Sequence, residues 1–239
     1  MTDTQEQWLL CLSASSLLGP KCDIDALNKK GYYKKMDPQK GRLDLNIDPG
    51  NALYKDNEPL IQAFLAVYQV KDRESYYQVI DKLIEGSDFA INMNRLMQVG
   101  KAMDQVDREK KVTFMMNGRP YMYENFQTLM GYEFHWPKYG LRSYDYANAL
   151  MLVRLGESLG YGEEGLQLTY LQKILEKLEL VYKSPKDFGE STEIGRQLHC
   201  KYLSSMGIGK GITEEKEVFS MVYYALWKNM GQYWPENQH

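Results

Sequence analysis

The spacing of apolar residues in the C-terminal half constrains this fold more than any other feature. Leu171, Ile174, Leu175, Leu178 and Val181 lie on one stripe of a 3.6-residue period, with Lys173, Glu176, Lys177 and Glu179 on the other face. The pattern predicts an amphipathic helix within residues 163–183. Gly160-Tyr161-Gly162 breaks the chain just before it. Glu163 and Glu164 then place negative charge where a helix N-terminus favours it. Ser184-Pro185-Lys186-Asp187 follows, with serine as N-cap, proline at the first helical position and a carboxylate at the third. The helix it opens is expected to run to about residue 205, with Ile194, Leu198 and Tyr202 inward and a break near Gly189. Glycines between Gly207 and Gly211 end it. Thr213 caps another helix whose stripe is Val218, Phe219, Val222, Leu226 and Met230.

The same reading extends upstream. A segment opening at Ser143 and closing at Gly160 is apolar on all sides, so it is expected to be a central helix. Leu60–Tyr68, Glu74–Ile84 and Asp88–Met103 read as three more helices, with Asp72 and Ser87 as N-caps. Trp8 to Leu18 reads as a buried first helix. Its flank carries Asp3 and Glu6 with no Lys or Arg, the wrong sign for a secretory signal, and the run is too short to span a bilayer. Residues 31–57 are rich in Gly, Pro, Asp and Asn and read as an irregular connection. Residues 112–123 are compatible with a small β-hairpin turning at Asn117-Gly118, with Pro120 confining the second strand to an edge. The expected fold is therefore mainly α, a compact multi-helix globular domain with that possible hairpin. It is read as a single helical domain over 1–239, in which an N-terminal helical part, 1–110, packs on a core over 140–232.

Composition removes several function classes. Hydrophobic residues make up 44% and charged residues 26%, so a packed globular core is expected. The net charge of −3 offers no concentrated positive surface, which argues against nucleic acid or an anionic membrane as partner. Three cysteines, Cys11, Cys22 and Cys200, form no CxxC pair and read as free thiols in a cytoplasmic protein. His135, His199 and His239 are far apart, so no metal-ligand spacing exists and no cofactor is expected. Gly207-Ile208-Gly209-Lys210-Gly211 lacks the Ser or Thr that must directly follow the lysine of a phosphate-binding loop. His199 and Cys200 are adjacent on a helix, about 100° apart, and cannot act as a base–thiol pair. No catalytic residue is assigned.

What remains is a surplus of tyrosine and methionine, 19 and 13 residues, types enriched at protein interfaces. The plainer account is tyrosine bodies packing at helix edges with their hydroxyls wet. Lys29-Lys30-Gly31-Tyr32-Tyr33-Lys34-Lys35 interleaves basic and aromatic residues; a solvated loop is its plainest reading, and a nucleic-acid module a third functional one.

The segment Tyr144-Asp145-Tyr146-Ala147-Asn148-Ala149, then Arg154-Leu155-Gly156, then Gly160-Tyr161, is similar to the core pattern of a bacterial family catalogued as domain of unknown function 1266. Tyr182, Ser184, Phe188 and Gly189 match its next motif, and Gly195-Arg196 the last. The clear match covers residues 143–203. Asn148 and Pro185 stand where the family usually carries an arginine-like residue and a tryptophan. The resemblance implies a cytoplasmic bacterial helical protein and brings no activity with it. Asp145 and Arg154 are nine residues apart, on opposite sides of one helix, so each needs a partner elsewhere. A pair between Asp145 and Arg196 across two helices is one expectation.

These readings lead to a non-enzymatic interaction protein, of the immunity type that neutralises a toxin or effector by covering its surface. Its expected contacts are Tyr32, Tyr33, Lys34, Lys35, Tyr121, Tyr123 and Trp136, on the least regular segments. The alternative is a small enzyme or ligand-binding protein using an inter-helix polar cleft lined by Asp145, Arg154, Glu193 and Arg196. Oligomeric state is left open.

Overall fold

The structure, a computed structural model, describes residues 9, 12, 13, 15–19, 52–118, 120–156, 158–182 and 184–209. Eight α-helices lie within them: α1 (Ala52–Val67), α2 (Arg73–Glu85), α3 (Asp88–Ala102), α4 (Gln105–Gly118), α5 (Pro120–Gly131), α6 (Arg142–Leu155), α7 (Glu164–Val181) and α8 (Pro185–Ser205). A 3₁₀ turn, Glu133–His135, links α5 to α6. Among the described residues there is no strand, and the fold is mainly α.

The helix starts lie where local chemistry places them. Asp72 caps α2 by accepting from the Ser75 backbone N–H at 2.8 Å, and the Ser75 side chain reaches back to the Asp72 N–H, a capping box. Ser87 caps α3 by accepting from the Ala90 N–H at 3.1 Å. Ser184 caps α8 by accepting from the Asp187 N–H at 3.1 Å, with Pro185 in the first turn. The helix continues unbroken through Gly189.

Two stretches differ from expectation. The hairpin over 112–123 does not form: residues up to Gly118 belong to α4, and α5 opens at Pro120. Asn117-Gly118 ends a helix instead of turning a ribbon, and Pro120 takes the first helical position, where its missing N–H costs nothing. The result is an antiparallel helix pair in which α4 packs on α5. The irregular connection also ends earlier than residue 57, because α1 begins at Ala52 and runs through Pro59. The expected helix after Thr213 lies outside the described residues.

α6 is the axle of the fold. Every residue from Ser143 to Leu155 is buried, and the helix packs against α2, α7 and α8. One apolar cluster runs from Leu9, Leu12, Leu17 and Leu18 through Phe64, Tyr76 and Leu150 to Ile174, Leu178 and Leu203. Each fully buried leucine or isoleucine contributes about 1.5–3 kcal/mol, so α6 is held mainly by apolar packing. A second, smaller cluster of Ala90, Met97, Leu129, Leu141, Ile194 and Leu198 joins α3, α5 and α8.

α6 and α8 approach closely at Gly195. A Cβ there would lie 2.6 Å from the Tyr144 Cβ, too close for any L side chain without displacement of a helix. Also against the first turn of α6, Gly86 between α2 and α3 has φ +122°. A side chain there would be strained and would collide with the Arg142 guanidinium.

A polar cleft beside a sealed clasp

The buried polar residues of α6 and α8 divide into two groups with different surroundings. The first group holds the N-terminal segment. The Leu17 N–H donates to Asn148 Oδ1 at 2.8 Å, and Asn148 Nδ2 donates to the Tyr144 carbonyl at 2.7 Å. Arg154 Nη1 donates to Ser13 Oγ at 2.6 Å. Arg196 Nη1 donates to the carbonyls of Ser16 and Leu17 at 2.7 and 3.0 Å. Arg154 and Arg196 are 4% and 3% exposed, so both charges are enclosed. Ser13, Ser15 and Ser16 are buried as well. This region is a clasp: side chains from α6 and α8 supply the hydrogen bonds that a buried, largely non-repeating stretch of backbone cannot make for itself.

The second group faces open space. A cleft of about 550 Å³ opens where the end of α1, α2, α3, α6 and α8 meet. That volume lies in the roughly 300–1,000 Å³ range of small-molecule sites. Its inner wall carries Tyr144, Asp145 and His199, with Tyr68, Phe89 and Tyr202 around them. The Ser87 N–H donates to Asp145 Oδ2 at 2.8 Å, and Ser87 Oγ donates to Oδ1 at 2.6 Å. Asp145 is 1% exposed, and burial pushes its carboxyl up to about 6, against the lowering pull of the Ser87 bonds and the Arg142 guanidinium. Arg142 is turned elsewhere: its Nη2 donates to the Ile84 carbonyl at 2.6 Å and to the Tyr146 hydroxyl at 3.3 Å.

His199 sits at the centre of an aromatic group. Its ring centroid lies 4.4 Å from Phe89, 5.6 Å from Tyr144, 6.1 Å from Tyr68 and 6.4 Å from Tyr202. Burial pushes its pKa down to about 3, so the ring is neutral at pH 7. The Tyr144 hydroxyl is 2.8 Å from His199 Nδ1. Burial holds the Tyr144 phenol well above its ordinary pKa, and it keeps its proton. A proton donated by Tyr144 to Nδ1 leaves the hydrogen on Nε2, to which no hydrogen bond runs among the described residues. Tyr68 is likewise held protonated, by burial first and then by Tyr144 and Asp145. Gln69, at the mouth, has φ +57°, an uncommon left-handed conformation for a residue with a side chain.

The four residues expected to line one polar cleft are not brought together. Asp145 lines the cleft, Arg154 and Arg196 hold the N-terminal segment, and Glu193 lies near Tyr132 and bonds Gln197 at 3.2 Å. The Asp145–Arg196 pair does not form, because Ser87 already satisfies the carboxylate and backbone carbonyls take the guanidinium. Ser87, Tyr144 and His199 are the site residues that sequence reasoning did not assign. The N-cap signal at Ser87 was visible, but nothing local shows that a distant aspartate also binds it.

Of the expected partner contacts, Tyr32, Tyr33, Lys34 and Lys35 lie outside the described residues, as do the side chains of Tyr121 and Tyr123. Trp136 is half-buried and packs against the smaller apolar cluster. Many other tyrosines are used internally. The Tyr76 hydroxyl donates to the Leu152 carbonyl at 3.1 Å, Tyr77 to the Tyr161 carbonyl at 2.8 Å and Tyr170 to Asp81 at 3.1 Å. The Tyr182 hydroxyl accepts from the Ser143 N–H at 2.7 Å, satisfying one donor at the start of α6. Cys200 is half-buried, and burial raises its thiol pKa, the reverse of an activated nucleophile. Among the described residues no group of three or more His, Cys, Asp or Glu side chains could hold a metal ion, and no helix is long and apolar enough to cross a membrane.

The residues that carry the family resemblance thus have places in this geometry. Asp145 and Tyr144 line the cleft, Arg154 and Arg196 form the clasp, and Gly195 permits the α6–α8 contact. The family described as Protein of unknown function (DUF1266) matches residues 66–237, well over half of the 239 residues and far more than the 143–203 stretch that shows it by eye. No curated protein and no solved structure matches the chain. The chain belongs to the DUF1266 family.

Proposed function

We propose that this is a small-molecule-binding protein whose site is the cleft between α2, α3, α6 and α8. The observation that carries the reading is the placement of Asp145 and His199, both more than nine-tenths buried, in the wall of an open cavity of about 550 Å³. Titratable groups with strongly perturbed pKa values in a concave site mark functional positions more often than chance. The Arg154 and Arg196 clasp gives the contrast, since its guanidinium groups are committed to Ser13 and to the Ser16 and Leu17 carbonyls and do not line the cleft. Cys200 and the isolated Asp145 offer no nucleophile–base pair, so the reading is binding without an assigned reaction. A cytoplasmic location, expected from the sparse cysteines, belongs to the same proposal.

The test is a thermal-shift screen of the full chain against small molecules that span charge and aromaticity, repeated with Asn92→Trp. Asn92 is exposed at the cleft, so a tryptophan there fills space without disturbing the core. Saturable stabilisation of the wild type, lost in Asn92→Trp, supports the reading. Hits that stabilise both proteins equally place binding elsewhere and overturn it.

A second reading, capture of a protein partner such as a toxin, is favoured by one specific observation. Phe134 is 91% exposed on the 3₁₀ turn, and that turn is held by Arg108, whose Nη1 and Nη2 each donate to a Glu133 carboxylate oxygen at 2.6 Å. A rigidly presented aromatic loses little freedom on docking. A defined partner whose affinity falls at least tenfold with Phe134→Ala would favour this reading over the first; unchanged affinity would remove it.

A further inference from the structure

The geometry points to a small organic cation with an apolar body, an ammonium-type ligand, as the occupant of the cleft, with the Asp145 carboxylate as its counter-charge and the rings of Tyr68, Phe89 and Tyr202 around it. The inference rests on the binding reading above and narrows it to one chemical class.

The charge balance of the wall comes first. Among the described residues, four ionisable side chains other than tyrosine line the cleft: Lys82, Asp88, Asp145 and His199. Lys82 and Asp88 pair with each other at 2.5 Å, both well exposed, and so cancel at the mouth. His199 is neutral, because burial pushes its pKa far below 7. Asp145 remains as the uncompensated charge. Ser87 donates to both of its oxygens, yet a hydrogen bond from a neutral group supplies no counter-charge. Arg142 is the nearest cation acting on it, but its guanidinium is committed to Ile84 and Tyr146 and does not line the cleft. The inner wall is thus net negative, and its charge stands on a residue only 1% exposed, where a charge interaction is stronger than in bulk water.

The second observation is independent of charge. Phe89 and Tyr202 stand 6.1 Å apart and each also contacts His199, at 4.4 and 6.4 Å, while Tyr68 lies 6.1 Å from the imidazole; all line the cleft. Aromatic faces attract cations through the ring quadrupole, and walls of several rings are how proteins hold alkylammonium groups. Val67, Val79, Leu83 and Met93 add apolar surface for a hydrocarbon body. The His199 Nε2–H can donate to a polar atom of the ligand. An anionic ligand would meet Asp145 with no cation to offset it.

The test is isothermal titration calorimetry on the full chain at pH 7.5 with three probes: benzyltrimethylammonium, benzyl alcohol and benzoate. Benzyltrimethylammonium is expected to bind one per chain and at least tenfold tighter than benzyl alcohol, with no detectable heat from benzoate. Asp145→Asn should weaken the cation at least tenfold and leave benzyl alcohol unchanged. Tyr202→Leu, which keeps the charge and removes a ring, should weaken the cation at least threefold, and it serves as the test if Asp145→Asn fails to fold. Asn92→Trp should remove binding. If benzyl alcohol or benzoate binds as tightly as the cation and Asn92→Trp abolishes it, the cleft reading stands and the cationic class is overturned. If no probe binds, or the cation binds undiminished to Asn92→Trp, this inference and the cleft reading fall together.

Discussion

The two polar regions flanking α6 differ in one respect. In the clasp, Asn148, Arg154 and Arg196 are enclosed, and each bonds a backbone or serine group within residues 13–17. In the cleft, Asp145 and His199 are equally buried but border space, with bonds on one side only. Burial of a polar side chain therefore does not distinguish a structural role from a binding one. Access does. A buried charge with its hydrogen bonds completed by the chain fixes an arrangement, whereas one left open to a cavity keeps its electrostatic demand for something that enters.

The largest effect should come from breaking the clasp. Arg196→Ala leaves the Ser16 and Leu17 carbonyls buried without this donor, and at about 1–3 kcal/mol for each orphaned acceptor the expected loss is about 2–6 kcal/mol. Urea denaturation measures it. A loss under 1 kcal/mol would mean that the N-terminal segment is not held as described, and the contrast between the regions would collapse.

The next effect lies in the cleft and depends on pH. The folded pKa of Asp145, about 6, lies above that of an aspartate in the unfolded chain. The folded state then binds the proton more tightly, so stability rises as pH falls from about 6 to 4 and is lost as pH rises through 6. The cost of the buried charge above pH 6 is about 3 kcal/mol. Asp145→Asn removes it and keeps an oxygen for the Ser87 N–H, so the variant should equal or exceed the wild type at pH 7.5 and match it at pH 4. His199 acts in the opposite sense. Its folded pKa is depressed to about 3, so the unfolded chain takes up a proton that the folded chain refuses, and stability falls as pH drops from about 6.5. His199→Gln should flatten that acid-side slope. Denaturation curves from pH 4 to 8 for the three proteins separate the two contributions; identical curves would show that neither group is buried as the structure has it.

A smaller effect is expected from Tyr144→Phe. It removes the hydroxyl beside His199 Nδ1 and leaves that nitrogen without its partner, at a cost of about 1–2 kcal/mol by thermal denaturation. A loss beyond about 4 kcal/mol would mean that the hydroxyl carries more of the fold than its one bond to His199.

The smallest is a gain. Gln69 ends α1 in the left-handed region, with the Val70 N–H donating to the Leu65 carbonyl at 2.9 Å and the Gln69 N–H to the Ala66 carbonyl at 3.1 Å. That is the helix end at which glycine is normally found. Gln69→Gly should stabilise the protein by up to about 1 kcal/mol. If ligand affinity falls as stability rises, the glutamine serves the cleft mouth, and the open region is shown to carry strain that the sealed one does not.

Most helices were legible because their cause is local. The stripe of α7, the Ser184-Pro185 start of α8 and the caps at Asp72 and Ser87 each rest on residues within one or two turns. Residues 112–123 were misread for the same reason: Asn-Gly followed by Pro serves a strand turn and a helix junction equally well, and only the packing of α4 on α5 selects between them. The site was half legible. Asp145, Arg154 and Arg196 stood out as polar residues in an apolar setting, but their partners lie 58, 141 and 180 positions away.

The amino-acid order alone determined that this chain is mainly helical and that α6 is its centre. Those properties follow from spacing, and spacing is a one-dimensional quantity. Only the tertiary structure decided which buried charges are closed off and which line a cavity. The reason is that a side chain's access to solvent or ligand is set by every element packed around it, and α1, α2, α3, α6 and α8 all contribute to the wall where Asp145 and His199 stand.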